Sequence, residues 1–203
     1  MAKNVMAAAL RRVIAKSYNL PEQLVMIDCE MTGVLPNKDK LLQVAALKLE
    51  RVKNQYRQVG EPFLKFLAYD GRPENEFQKQ YLTHVFDECN KSDLTPARLK
   101  TELHGWLGSY LNKATPVGDC VPTDIAFLAA NDCIDLSHFK NDQPVPGTFH
   151  YEYFDMNAPK EIARVKMGGK FETPNLDENI HDALVDCENQ LKELNHILEI
   201  LLD

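Results

Sequence analysis

The stretch Val25-Met26-Ile27-Asp28-Cys29-Glu30-Met31-Thr32-Gly33 decides the fold. The apolar run at residues 24–27, shortly after Pro21, predicts a buried strand of β-branched and long side chains. Asp28 and Glu30 then break that pattern. Side chains two apart on a strand leave the same face, about 6.5–7 Å apart along the chain. Two carboxylates on one face of a buried strand end repel each other and lose hydration unless something positive sits between them. Hard oxygen donors suit Mg²⁺ or Mn²⁺ in that place. Taken alone, the pair reads equally well as a solvated strand end, so the remaining sequence has to decide.

A chain of 203 residues fits a single domain, residues 1–203, with a full core. Hydrophobic content of 44% and charged content of 26% are those of a soluble globular protein. No apolar stretch approaches the ~20 residues of a membrane span. The net charge of −7 argues against a broad basic surface for long duplex nucleic acid. It leaves room for an acidic metal site, because bound cations reverse the local sign. A nucleic-acid substrate would then be short, or held in one groove. Cys29, Cys89, Cys120, Cys133 and Cys187 contain no C-x-x-C pair and fit reduced thiols in a cytoplasmic setting. Residues 1–20 carry Lys3, Arg11, Arg12 and Lys16 without an acid, among apolar residues at helical spacing. This is the composition of a mitochondrial presequence and equally of a basic amphipathic helix. A helical extension packed on the domain is the expectation, with mitochondrial import as the alternative.

Beyond the turn-rich residues 33–40, residues 41–49 predict a second strand, and a third is expected within 59–67, with Pro62 at an edge. Residues 77–93 turn helical. Ser92-Asp93-Leu94-Thr95-Pro96 then starts a helix that buries Leu99, Leu103, Trp106, Leu107, Tyr110 and Leu111 along one face. Thr115-Pro116-Val117-Gly118 reads as a short strand opening into a helix near Pro122. Residues 135–147 are expected to be irregular, and 149–154 a strand ending at Asp155. A helix with Pro159 in its first turn and Ile162-Ala163 on its buried side comes next, then a glycine-rich link. The last helix spans 182–202. Strands first, then alternating helices and strands, point to an α/β fold with a mixed sheet flanked by helices.

Two more features carry acids. Asp124 sits near the start of the helix after Gly118, where a carboxylate is also a plain partner of the helix dipole. Asp186 lies in the opening turns of the final helix, with His181 five residues earlier in the link before it. Each feature alone is commonplace; their combination and order are not. A strand bearing D-x-E, a helix-borne Asp, and a final-helix Asp preceded by His resemble the DEDD exonuclease superfamily in its histidine subgroup. Ile27-Asp28-Cys29-Glu30-Met31-Thr32-Gly33 is similar to the oligoribonuclease signature I/V-D-L-E-M-T-G. Phe149-His150-Tyr151-Glu152-Tyr153-Phe154-Asp155, with Lys160-Glu161-Ile162-Ala163-Arg164, is similar to that family's F-H-Y-R-x-x-D…K-E-L-A-R block. The similarity covers nearly everything from Leu24 to the end, with extra residues at the N-terminus and within 135–147.

The resemblance implies a ribonuclease H-like fold, the first three strands antiparallel and the others parallel. It also implies a two-metal 3′–5′ exonuclease that releases nucleoside 5′-monophosphates from short single-stranded RNA, and possibly DNA. Asp28, Glu30, Asp124 and Asp186 would hold two divalent cations, Mg²⁺ or Mn²⁺, and His181 would activate the attacking water. Two such ions clamp the attacking and leaving oxygens of an in-line displacement, and an imidazole titrates near neutrality. Glu30 and the backbone of Met31 and Thr32 would receive the terminal 3′-hydroxyl, and Val34 would wedge between the last two bases. Tyr151 would reach the neighbouring subunit's site in a homodimer. The chain departs from the family where a phosphate cap is built. It has Cys120 for serine, Glu152 for arginine and Asn157 for serine. A carboxylate in place of a guanidinium reverses the sign of a phosphate contact, so a strict dinucleotide preference is not expected. The competing readings are a proofreading-type DNA exonuclease working with a polymerase and an inactive binding scaffold. The scaffold is disfavoured because every acid is present.

Overall fold

In a computed structural model of the protein, the described residues are 20–140, 143–150, 152–169, 171, 174 and 181–202. The N-terminal helical extension, apart from Leu20, and Tyr151 lie outside them, as does most of the link after Gly169.

The strand beginning at the opening motif is β1, Gln23–Met31. It lies inside a six-stranded sheet, with β2 (Leu41–Val52) antiparallel on one side and β5 (Thr115–Gly118) parallel on the other. The far edge of β2 is shared by β3 (Gln55–Gln58) and β4 (Phe63–Phe66), both antiparallel to it. The strand expected within 59–67 is β4, whereas β3 before it was not foreseen; Gly60, at φ +72, and Pro62 interrupt the extended backbone between the two. A short β8, Phe154–Asp155, closes the other edge parallel to β5. The longer strand expected at 149–154 does not form. His150 gives its N–H to the Ala114 carbonyl at 3.0 Å, but the Glu152 N–H turns back to His150 Nδ1 at 3.3 Å and leaves the ladder. The supposedly irregular 135–147 segment contains a hairpin, β6 (His138–Lys140) against β7 (Gln143–Val145).

Alternation along β1 assigns its two faces. Val25, Ile27 and Cys29 pack with α2 (Pro96–Leu107) and α3 (Val121–Ala130) through Leu99, Leu103, Val121 and Phe127. Leu24 and Met26 pack with Ala45, Leu47 and the final helix α5 (Ala183–Leu202) through Cys187, Leu194 and Ile197. A third cluster joins Leu42 to α1 (Thr83–Lys91), which a π turn at Gln78–Leu82 precedes. The helix α4 (Asn157–Lys166) buries Pro159 and Ala163, four residues apart. Ile162 falls at the edge of that face and is 37% exposed, against expectation. Trp106 packs partly buried against the core and donates its indole N–H to the Glu61 carbonyl at 2.9 Å.

The outer strand β3 is held from α5 by one side chain. Asn195 Oδ1 accepts the Tyr56 N–H at 2.7 Å and its Nδ2 donates to the Tyr56 carbonyl at 2.9 Å. Replacing it by leucine strands two backbone groups beside a fully buried ring. We expect Asn195→Leu to lose roughly 1–3 kcal/mol in denaturant unfolding. Unchanged stability would show that water replaces both bonds.

Candidate active site

Antiparallel pairing sets Asp28 opposite Ala45 and Glu30 opposite Gln43, and the register then slips between Glu30 and Met31. A bulge at that point re-aims the end of the strand. Asp28 and Glu30 thus leave the face that α5 covers, continuing the row of Leu24 and Met26. Asp186, in the first turn of α5, and His181 just before it come to the same place. Glu30, His181 and Asp186 each present a ligand atom within 4.8 Å of the others. Asp28 and Asp124 stand outside that trio and act on it through charge. Asp124 is buried and comes from α3, on the opposite side of the sheet, where the Cys29 N–H bonds its carboxyl. Five side chains dispersed over the sequence therefore gather at one end of β1.

The electrostatics are those of crowded acids. Enclosure by protein, then the Asp186 carboxylate, push Asp28 up to about 8, against the opposing hydrogen bond from Gln190. Enclosure, then Asp28 and Asp186, raise Glu30 to about 9. Burial and then Asp28 hold Asp124 well above the usual carboxylate range. Burial also raises Asp186, although the His181 N–H donates to its Oδ2 at 2.9 Å. The leading contributions to these shifts come from burial and from neighbouring carboxylates, not from lysine or arginine. Carboxylate oxygens beside an imidazole are a donor set that fits hard divalent cations.

Supporting residues that the sequence reading missed surround the site. His181 takes a left-handed backbone, φ 69. Its ring meets Phe77 edge-on and Tyr81 at a tilt, each at 4.8 Å between centroids. Phe77 and Tyr81 are four residues apart at a helix start, a spacing that could have drawn attention to them. Asp182 caps α5, its Oδ1 accepting the Leu184 N–H at 3.1 Å. Fully buried Gln43 ties that cap to β2, donating to Asp182 Oδ2 at 3.3 Å and accepting the Ala183 N–H at 3.1 Å. Gln190, one turn beyond Asp186, donates to Asp28 Oδ1 at 2.8 Å.

The predicted substrate contacts divide. Val34 is 79% exposed on the loop after β1. Asp39 Oδ2 accepts the Leu35 N–H within this loop, and a Cβ at Gly33 would lie 2.4 Å from that same oxygen. Met31 ends β1 and packs partly buried on the core. Thr32, however, already gives its N–H to the Lys40 carbonyl at 2.9 Å, and its own carbonyl accepts Gln78 Nε2 at 2.6 Å. Both backbone groups of Thr32 thus already have partners within the protein. At the altered cap positions, Asn157 Nδ2 donates to Cys120 Sγ at 3.5 Å, and Glu152 is exposed.

A family model described as Exonuclease matches residues 25–194. The chain belongs to this exonuclease family. A probable oligoribonuclease of Schizosaccharomyces pombe is 27% identical over 190 residues, covering 89% of this chain and 69% of its own length. An oligoribonuclease of Nitrosomonas eutropha is 25% identical over 186 residues, with 89% and 96% covered. Among solved structures, E. coli Exonuclease I in complex with a dT13 oligonucleotide superimposes with a TM-score of 0.58 at 14% identity. That match covers 87% of this exonuclease-family chain and 41% of the solved one, a likeness of fold across about two-fifths of that structure.

The raised acids have a consequence for the metal-free protein. Unfolded, Asp28 and Glu30 ionise near 3.8 and 4.5; folded, they hold their protons to about 8 and 9. The folded state binds more protons across that window, so its stability falls as pH rises from about 5 to about 8. Denaturant unfolding in chelator should show this fall, and the double variant Asp28→Asn, Glu30→Gln should flatten it. Equal slopes in the two proteins would contradict the assignment.

Proposed function

We propose that this exonuclease removes nucleotides from the 3′ end of short single-stranded RNA, releasing nucleoside 5′-monophosphates. The observation that carries the reading is the meeting of Glu30, His181 and Asp186 within 4.8 Å at the end of β1, beside Asp28, in a family member with oligoribonuclease relatives. Asp28, Glu30, Asp124 and Asp186 would hold two divalent cations, Mg²⁺ or Mn²⁺. When bound, such cations neutralise the scissile phosphate and acidify water beside it. His181 accepts the proton of the attacking water. Its left-handed backbone, its N–H bond to Asp186 and the Phe77 and Tyr81 rings set the imidazole's direction. Glu30 accepts the 3′-hydroxyl of the terminal nucleotide. Val34 enters between the last two bases, and Phe77, 49% exposed, offers a ring face for stacking.

Cys120, Glu152 and Asn157 leave the 5′ side without a cationic cap, so chain length is read weakly. Homodimerisation belongs to the same reading and rests on the sequence match at Tyr151. A reducing, cytoplasmic compartment suits the five free cysteines, four of them buried. No helix among the described residues is long and apolar enough to cross a membrane.

5′-labelled RNA and DNA ladders with Mn²⁺ test the reading. RNA should shorten one nucleotide at a time from its 3′ end, and Asp28→Ala should abolish this. We expect His181→Ala to lower kcat by roughly 10²–10⁴-fold. Dinucleotide and five-mer should be cleaved at rates within about tenfold, the ratio that one lost phosphate contact of about 1.4 kcal/mol allows. DNA cleaved far faster than RNA would favour the proofreading alternative, and no turnover at all would favour a binding scaffold.

A further inference from the structure

Gln190 has no part in the chemistry above, yet it is buried at the centre of the acids. It lies four residues after Asp186 on α5, hence on the same helix face. Its Oε1 accepts the Asp119 N–H at 3.2 Å. A backbone N–H only donates, so this bond fixes which way the amide points. The NH₂ must then face Asp28, where Nε2 stands 2.8 Å from Oδ1. One Asp28 oxygen is thereby engaged and the other is left for a ligand.

The partner on the far side matters equally. Asp119 follows β5 and leads through Cys120, at φ 56, into α3, the helix that carries Asp124. β5 comes this close because residue 118 is glycine. A Cβ there would lie 2.8 Å from the Ile27 carbonyl and 3.1 Å from Gln190 Oε1. Lys160 braces the turn from α4, pairing with the Asp119 carboxylate and with Glu193 of α5.

We propose that Gln190 is a positioning residue of the exonuclease site, its amide joining the Asp28 carboxylate to the turn before Asp124 and so fixing the two acids relative to each other. The inference rests on the metal-dependent reading above. It adds that spacing between the two acids is set from α5, by a neutral side chain with no substrate contact. A merely structural glutamine would affect folding; a positioning one affects cation affinity in a protein that still folds. Hydrogen-bonding partners behind metal ligands typically contribute roughly 10–100-fold in metal affinity or activity.

The test is Mn²⁺ binding, by calorimetry and by electron paramagnetic resonance, to full-length wild type, Gln190→Met and Gln190→Asn. Methionine keeps length and packing without a donor; asparagine keeps the amide but cannot span both partners. Thermal unfolding in chelator selects the variants that fold. We expect the wild type to bind Mn²⁺ and both variants to bind it roughly 10–100-fold more weakly. The Mn²⁺ concentration for half-maximal hydrolysis should rise in parallel, with KM for the oligonucleotide unchanged. Wild-type affinity in a folded variant would overturn the role of Gln190 and leave the exonuclease reading intact. A wild type that binds no Mn²⁺ would overturn the reading and this inference together.

Discussion

Four carboxyl groups crowded at the end of one interior strand are the constraint from which the rest of the molecule follows. Their lost hydration, and then their mutual repulsion, push Asp28 and Glu30 up to about 8 and about 9. A surface cluster would relax by moving apart, but this one has little room to do so. β1 is paired on both sides, with its register fixed by long antiparallel contact with β2. The two apolar faces on either side of it hold the layers in place. Packing thus imposes a charge problem that bound divalent cations would relieve.

The two helical layers bring their acids from opposite sides. Asp186 and His181 arrive with α5, whose first turn is pinned to β2 by Gln43 and Asp182. Asp124 arrives with α3, whose start is set by the close approach of β5 to β1 at Gly118. The imidazole is held by its own backbone conformation and two aromatic rings. An acidic floor with an imidazole beside it suits chemistry at a phosphodiester, where positioning and charge stabilisation do most of the work.

Much of this was legible in the chain. The apolar run before Asp28 located the central strand, since a strand paired on both sides needs no polar face. Spacing along the final helix anticipated its buried face through Cys187, Leu194, Ile197 and Leu198. The ordered series of acids pointed to a candidate site because such a series is rare, although each member is ordinary. What escaped notice depends on contacts distant in sequence. Nothing near Gln190 or Gln43 announces a partner some 140 or more positions away. The split of residues 55–66 into β3 and β4 depends on the full length of β2 being available to both. The strand expected at 149–154 shrank to Phe154–Asp155 because His150 and Glu152 satisfy each other locally.

Diffraction from crystals soaked in Mn²⁺, recorded at the manganese absorption edge, addresses the central claim most directly. The account predicts anomalous density for two ions at the end of β1, bounded by Asp28, Glu30 and Asp186, with Asp124 turned toward the second. Acids that remain in place with no manganese between them, or manganese bound only elsewhere on the surface, would contradict it.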